Sequence, residues 1–313
     1  MESILVQKKQ TFTKQRTDKI GLGKKFYIET LGCQMNVADS ELIIAMLNDL
    51  GFVKSNSPQN SDLIFINTCS IRERAEEKVH SQLGRWDKIK KNKPEVIIGV
   101  LGCMAQNLKQ DILENRPFVD IVLGPDSYRK LPEIINRSIN HQQSIVDTKL
   151  SRYEVYEGLF PKRKGGVNAW ISIMRGCDKF CTFCIVPFTR GRERSRSIDS
   201  IVKEAEDAVN NGYRELTLLG QNVNSFKHDG YKFHDLLEII SQISGVERIR
   251  YTSPHPQDIS DELLEIMRKY DNICNYIHLP LQSGSDKILK RMQRSYSKDD
   301  FLILAKKIRK ILP

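Results

Sequence analysis

Apolar positions along the chain fall into short continuous runs separated by amphipathic segments and polar turns. The first run predicts a strand over 25–31 that ends at Gly32-Cys33. Residues 39–50 carry Leu42, Ile43, Met46, Leu47 and Leu50 at helical spacing, with Asp39 as the expected N-cap and Gly51 as the stop. A second strand at 63–66 runs into Asn67-Thr68-Cys69, and a charged helix over 71–91 follows. A third strand, 96–101, ends at Gly102-Cys103. A fourth, 120–123, leads through Gly124-Pro125-Asp126 into a helix at 128–139. Alternation at this interval predicts parallel βαβ units and an α/β fold.

Periodicity fades over 141–168, which ends in Pro161-Lys162-Arg163-Lys164-Gly165-Gly166 and reads as a linker. The expected organisation is a basic tail at 1–24, a first domain at 25–140, the linker, and a second domain at 169–313. The second domain opens on a strand at 169–174, and a helix at 198–211 follows with Ile198, Ile201, Val202, Ala205 and Val209 on one face. Strands at 215–219, 248–252 and 276–279 then alternate with helices at 233–243, 261–269 and 298–311. Polar loops follow these strands, and in a (β/α) barrel such loops form the active face. Four β/α units do not close a barrel, so a partial barrel and a fragment or shortened product are expected.

Chemistry enters with the cysteines. In Cys177-Asp178-Lys179-Phe180-Cys181-Thr182-Phe183-Cys184, three thiols have three and two residues between them, the close spacing with which cysteines hold an iron–sulfur cluster. Structural zinc prefers four ligands in two pairs, and no second pair follows nearby. Cys274 lies at the entry to a strand and is expected as a packed thiol. A cubane gripped by three cysteines keeps one iron open, and an open metal site is where chemistry happens. In parallel sheets ligands sit beyond the carboxyl ends of the strands; Cys33, Cys69 and Cys103 each stand at that edge. One free cysteine after a strand is commonly just a small buried residue. Three in the same topological place predict a second three-cysteine site. No glycine-rich dinucleotide fingerprint or Walker loop is present.

Composition narrows the setting. The 313 residues, 40% hydrophobic and 28% charged, suit two globular domains. Seven cysteines are an odd count and too sparse for a disulfide scaffold. Ile4-Leu5-Val6 is too short for the apolar part of a signal peptide, and the longest apolar run, 96–105, is half a membrane span. A cytoplasmic protein with reduced thiols and no membrane association is therefore expected. The net charge of +10 suits a polyanionic partner. If 190–196 is extended, Arg190, Arg192, Arg194 and Arg196 share one side, either for phosphate contacts or as a solvated edge. His255, between Pro254 and Pro256, is expected as a satisfied polar residue.

Taken together these residues resemble the radical S-adenosylmethionine (SAM) superfamily and, within it, the methylthiotransferases of the branch that acts on tRNA. The resemblance runs from residue 25 to the end. It rests on Thr30-Leu31-Gly32-Cys33-Gln34-Met35-Asn36, Asn67-Thr68-Cys69-Ser70-Ile71-Arg72-Glu73 and Gly102-Cys103-Met104-Ala105-Gln106. In the second domain it rests on the cysteine loop with Pro187-Phe188-Thr189-Arg190-Gly191, and on Leu279-Pro280-Leu281-Gln282-Ser283-Gly284-Ser285. It implies that Cys177, Cys181 and Cys184 hold a [4Fe–4S] cluster whose open iron is chelated by SAM, which reduction cleaves to a 5′-deoxyadenosyl radical. It implies that Cys33, Cys69 and Cys103 hold an auxiliary [4Fe–4S] cluster carrying the sulfur to be transferred, and that a second SAM supplies the methyl group. The implied target is carbon 2 of the N(6)-dimethylallyl (isopentenyl) adenosine next to the anticodon, position 37 of tRNA. SAM is expected near Gln221, Asn222, His255 and Ser283. The implied partners are tRNA, a reductant such as flavodoxin and a sulfur source, with the enzyme a monomer. Family members continue through further barrel strands into a small C-terminal β domain (TRAM); both are missing here, so a C-terminally truncated chain is expected. Two other readings are a sister enzyme acting on a ribosomal-protein aspartate, which Gln34-Met35-Asn36 and Gln282-Ser283 disfavour, and a non-catalytic iron–sulfur RNA-binding module.

Overall fold

The computed structural model describes residues 19–70, 73–141 and 143–313; the expected tail up to residue 18 and the expected helix start at 71 lie outside them. The chain is α/β, as its alternating pattern predicts. Strands β1 (Lys25–Leu31), β2 (Val53–Lys54), β3 (Leu63–Thr68), β4 (Ile97–Gly102), β5 (Ile121–Leu123) and β6 (Ile145–Asp147) form one parallel sheet in the order β2-β1-β3-β4-β5-β6. Every residue of β3 and β4 is buried, which is why these strands read as unbroken apolar runs: a parallel sheet is covered on both faces. Helices α1 (Gln34–Asp49) and α5 (Leu131–His141) cover one face, where Phe26, Ile43, Leu47, Phe65 and Tyr128 pack. Helix α2 (Glu73–Asn92) covers the other, with Val79, Leu83 and Trp86 against Ile64, Ile66 and Val100. Short helices α3 (Cys103–Leu108) and α4 (Asp111–Asn115) follow β4.

Three details differ from the expectation. The sixth strand, β6, lies inside the stretch read as a linker; at three residues it is too short to show a period. Helix α1 begins at Gln34 with Cys33 as its N-cap, so Asp39 is more than a turn inside the helix and is buried. The strand expected at 276–279 does not form: among the described residues, pairing beyond the strand at 248–251 is limited to a bridge between Ile249 and Ile273. Tyr276 is 59% exposed, and Pro280 has no N–H to offer a ladder.

The second half is a smaller parallel sheet, β13 (Arg248–Tyr251)-β10 (Glu215–Leu219)-β7 (Asn168–Ser172), packed against α7 (Ile198–Asn210), α8 (Phe233–Ser241) and α9 (Asp261–Lys269). An antiparallel pair, β8 (Met174–Arg175) with β9 (Arg194–Ser195), closes the base of the cysteine loop, and α6 (Val186–Thr189) lies within that loop. A small hairpin, β11 (Lys227–His228) and β12 (Tyr231–Lys232), precedes α8; α10 (Asp286–Arg291) and α11 (Lys298–Ile311) complete the half. Helix α1 sits between the two sheets. Its Leu42, Ile43 and Leu47 join the first core, while Met35 and Ala38 pack with Leu219 and Trp170 of the second. The first turns of α1 thus meet the second core and its later turns the first. Among the described residues no helix is long and apolar enough to cross a membrane.

Candidate functional site

The first three-cysteine group is set by sheet register. Leu31 pairs with Thr68, and Thr68 with Gly102; Cys69 and Cys103 are the next residues on their strands, and Cys33 is the next but one. Glycine is required beside two of them. Gly32 has φ 144, and a Cβ there would lie 2.9 Å from the Cβ of Cys69 and 2.5 Å from Asn36 Oδ1. Gly102 has φ 92, and its Cβ would lie 2.4 Å from Asn67 Oδ1. Beneath the thiols, two side-chain amides interlock. Asn36 Nδ2 donates to Asn67 Oδ1 (3.2 Å), and Asn67 Nδ2 donates to the Asn36 carbonyl (3.0 Å) and Ser40 Oγ (2.9 Å). Cys33 donates through its backbone N–H and its thiol to Asn36 Oδ1, at 3.3 and 3.4 Å. A hydrogen bond with the Cys69 side chain, helped by the charge of Arg190, pulls the Cys33 thiol down to about 5 against the effect of burial.

The second group hangs on Gly176. Its φ is 80, and a Cβ would stand 2.0 Å from the Arg192 carbonyl oxygen, so only glycine lets the loop turn here. Gly176 N–H donates to Gln221 Oε1 (2.5 Å), Cys177 N–H to the Gly191 carbonyl (3.1 Å), and Thr182 Oγ1 to the Arg291 carbonyl (3.0 Å). Cys177, Cys181 and Cys184 are half-buried free thiols. Burial pushes Cys177 up to about 11, with the charges of Glu193, Cys184 and Cys181 adding to it, and burial also raises Cys184.

The loops beyond β10 and β13 are stitched to this one. Asn222 is 1% exposed and donates from Nδ2 to Asp258 Oδ2 (2.8 Å) and Glu193 Oε1 (3.2 Å); Lys179 Nζ donates to Asp258 Oδ1 (2.9 Å). The Asn222 Oδ1 is buried without a hydrogen-bond partner. His255 exchanges hydrogen bonds with the Asn224 side chain through its backbone, and its Nδ1 accepts from Gln257 N–H. Burial, then the charges of Arg294 and Lys179, lower His255 to about 4, so it is neutral near pH 7. Its ring lies edge-on to Tyr296, whose hydroxyl donates to the Pro280 and Leu281 carbonyls (3.3 and 3.1 Å). Through Tyr296 the loop bearing Ser283 meets the others. Of the four residues expected near SAM, Gln221, Asn222 and His255 thus border the cysteine-loop network directly, and Ser283 through its neighbours.

The arginine row behaves differently from either expectation. Arg190, Arg194 and Arg196 are buried, and Arg192 alone is exposed, on Asp178 and over the Phe180 ring. The reason is a set of carboxylates, two of them far away in sequence. Asp39 of α1 meets Arg175 at 3.0 Å and Arg190 at 2.8 Å, and Asp126 meets Arg194 at 2.9 Å. Arg175 also donates to the Pro125 carbonyl (3.2 Å) and lies 4.8 Å from the Tyr156 ring centroid. Glu204 holds Arg196 and Arg163, both at 2.5 Å. Separations of 136 residues for Asp39–Arg175 and 68 for Asp126–Arg194 put these pairs beyond any local pattern. Charges this buried persist because each is paired. The Asp39 and Asp126 pairs fasten one sheet to the other between the two cysteine groups.

Among the described residues, no three His, Cys, Asp or Glu side chains are gathered to hold a single metal ion. A cubane asks for less convergence, because each thiolate binds a different iron. The first group fits such a ligand: three thiols share one sheet edge, glycines clear the space beside them, and a buried guanidinium offsets thiolate charge. The second group fits by its short spacing on a loop tethered at its base and at Thr182.

Residues 25–124 match the family described as "Uncharacterized protein family UPF0004", and residues 171–313 match the radical SAM superfamily. The chain is 46% identical over 306 residues to the tRNA-2-methylthio-N(6)-dimethylallyladenosine synthase of Amoebophilus asiaticus, covering 92% of this chain and 63% of that protein. The protein of the same name from Caldicellulosiruptor saccharolyticus is 44% identical, with 94% and 64% covered. That from Christiangramia forsetii is 42% identical, with 100% and 69% covered. The chain thus spans about two thirds of the length of these curated relatives. Among solved structures, the radical SAM methyltransferase TsrM from Kitasatospora setae, with tryptophan and a SAM analogue bound, superposes with a TM-score of 0.64. At 14% identity, over 92% of this chain and 66% of that one, the likeness is one of fold.

Proposed function

This chain belongs to the family of the tRNA-2-methylthio-N(6)-dimethylallyladenosine synthases, and from that premise we propose that it catalyses radical SAM-dependent methylthiolation of N(6)-dimethylallyladenosine next to the anticodon of tRNA. The observation that carries the reading is two separate three-cysteine groups, one at each sheet's carboxyl edge, joined by a buried ionic clamp. Cys177, Cys181 and Cys184 would hold a [4Fe–4S] cluster together with SAM, and Cys33, Cys69 and Cys103 a second. When bound, these groups supply a carbon radical able to take hydrogen from an unactivated C–H, and the sulfur that replaces it. The chain's own residues do the rest. Gly176 and Gln221 fix the start of the Cys177–Cys184 loop, Asp258, itself held by Asn222, ties Lys179 of that loop to the segment after β13, and neutral His255 leaves no extra cation there. The buried Asn222 Oδ1 is an unspent acceptor in that network, suited to a donor group on SAM. The remaining partners proposed are a reductant and a sulfur source, for a cytoplasmic monomer.

Anaerobic reconstitution followed by nucleoside mass spectrometry on isopentenylated tRNA tests the reading. The expected result is the methylthio nucleoside from the full-length form, lost when either cysteine group is changed to Ala. Production of 5′-deoxyadenosine without any methylthio product on tRNA would overturn it.

A further inference from the structure

The clamp does more than fasten two halves, because one of its arginines has both Nη atoms without a directed hydrogen bond. Arg175 spends its two Nη atoms on Asp39 and the Pro125 carbonyl and lies over the face of Tyr156, with Nε alone left over. Arg194 spends its own on Asp126 and on the carbonyls of Ser151, Glu154, Arg190 and Arg192. Arg190 is 3% exposed and touches Asp39 Oδ2 at 2.8 Å, yet neither of its Nη atoms makes a directed hydrogen bond. A buried donor left unpaired is costly and points to a missing acceptor.

The acceptor's place follows from the fold. Arg190 caps α6, its N–H donating to the Val186 carbonyl at 2.7 Å. Helix α6 packs on α3, whose first residue is Cys103. Cys33 and Cys103 both lie within charge–charge range of the Arg190 guanidinium. Asp39, which holds it, lies in the helix that Cys33 caps. The unpaired donors thus belong to the space bordered by the first cysteine group.

We propose that Arg190, oriented by Asp39, is a positioning residue that donates hydrogen bonds to the iron–sulfur group held by Cys33, Cys69 and Cys103 and raises its reduction potential. Three thiolates and a cubane make a negatively charged centre. A fixed cation in a low-dielectric site stabilises the more negative, reduced state, and hydrogen bonds to cluster sulfurs act in the same direction. The shared Asp39 carboxylate ties this donor to Arg175, two residues before Cys177, so the residue that tunes one group is braced against the loop that holds the other. The inference rests on the reading of the first cysteine group as a cluster site.

The test uses the full chain with Cys177, Cys181 and Cys184 changed to Ala, so that one cluster remains. Iron and sulfide are counted after anaerobic reconstitution, and the midpoint potential and EPR spectrum are followed by redox titration. Arg190→Gln is expected to lower the midpoint and alter the spectrum at unchanged iron content. Arg190→Lys, which keeps the charge without the planar fork, is expected to shift it less, and Arg192→Gln not at all. A loaded Arg190→Gln or Arg190→Lys protein with the parent's potential and spectrum would overturn the proposal alone. A parent that binds no iron would overturn the cluster reading and this proposal with it.

Discussion

Adding a methyl group to Gly102 and adding one to Gly84 should have opposite effects. At Gly102 the new Cβ would stand 2.4 Å from Asn67 Oδ1 and 2.7 Å from the Thr68 carbonyl, on backbone with φ 92 and ψ −158. Backbone strain of this kind costs about 1–3 kcal/mol, and relieving the clash would push Cys103 away from its neighbours. Gly84, in α2, has no atom within 4 Å of its would-be Cβ. There an alanine restricts the unfolded chain and stabilises by about 0.5–1 kcal/mol. Urea denaturation of Gly102→Ala and Gly84→Ala should therefore move the midpoint in opposite directions, and only Gly102→Ala should lower the iron bound by the first cysteine group. Equal midpoints, or undiminished iron in Gly102→Ala, would contradict the geometry.

Helix α1 explains both what the sequence disclosed and what it concealed. Its apolar spacing at Leu42, Ile43 and Leu47 announced a helix against the first sheet, and the buried runs of β3 and β4 announced that sheet. Residue types in topologically equivalent places were enough to bring Cys33, Cys69 and Cys103 to one edge, because parallel register does the rest. What local pattern does not carry is what the first turns of the helix meet. Met35 and Ala38 meet Leu219 and Trp170, and Asp39 meets two arginines from the other half of the chain. Those partners follow from tertiary packing, so Asp39 looked like a cap and Arg190, Arg194 and Arg196 like a surface row. Two positions on α1, two turns apart on one side of the helix, make separable predictions. Ala38→Leu forces a larger side chain between the two sheets and is expected to cost about 1–3 kcal/mol by overpacking. Ala45→Leu points into a cavity of about 600 Å³ lined by Phe160, Pro161 and Tyr213 and should be tolerated. Thermal melts of the two variants decide this, and equal losses would remove the case for α1 as a tightly filled layer between the sheets.

The two halves of the molecule also meet at a carboxyl group whose titration their contact controls. Glu41 of α1 sits beside Arg163, which in turn is held by Glu204 of α7, and the Lys162 N–H donates to the Glu41 carbonyl. Burial raises Glu41 from 4.5 to about 7; the Glu204 charge pushes the same way and Arg163 opposes them. Its Oε2 has no hydrogen-bond partner. A raised carboxyl means that the folded state keeps a proton that the unfolded chain releases. Between pH 4.5 and about 7 the folded chain binds more protons, so this group's contribution to stability is present in acid and falls as pH rises. Replacing Glu41 by Gln keeps the shape and removes the ionisation. Glu41→Gln is expected to melt at a higher temperature than the parent near pH 8, with the difference shrinking toward pH 5 as the parent's Glu41 becomes protonated. Melting curves of both proteins across that range give the answer. If the two run parallel, or the variant is the less stable above pH 7, then Glu41 is ionised and well paired in the folded chain and the seam between the halves is wetter than its packing implies.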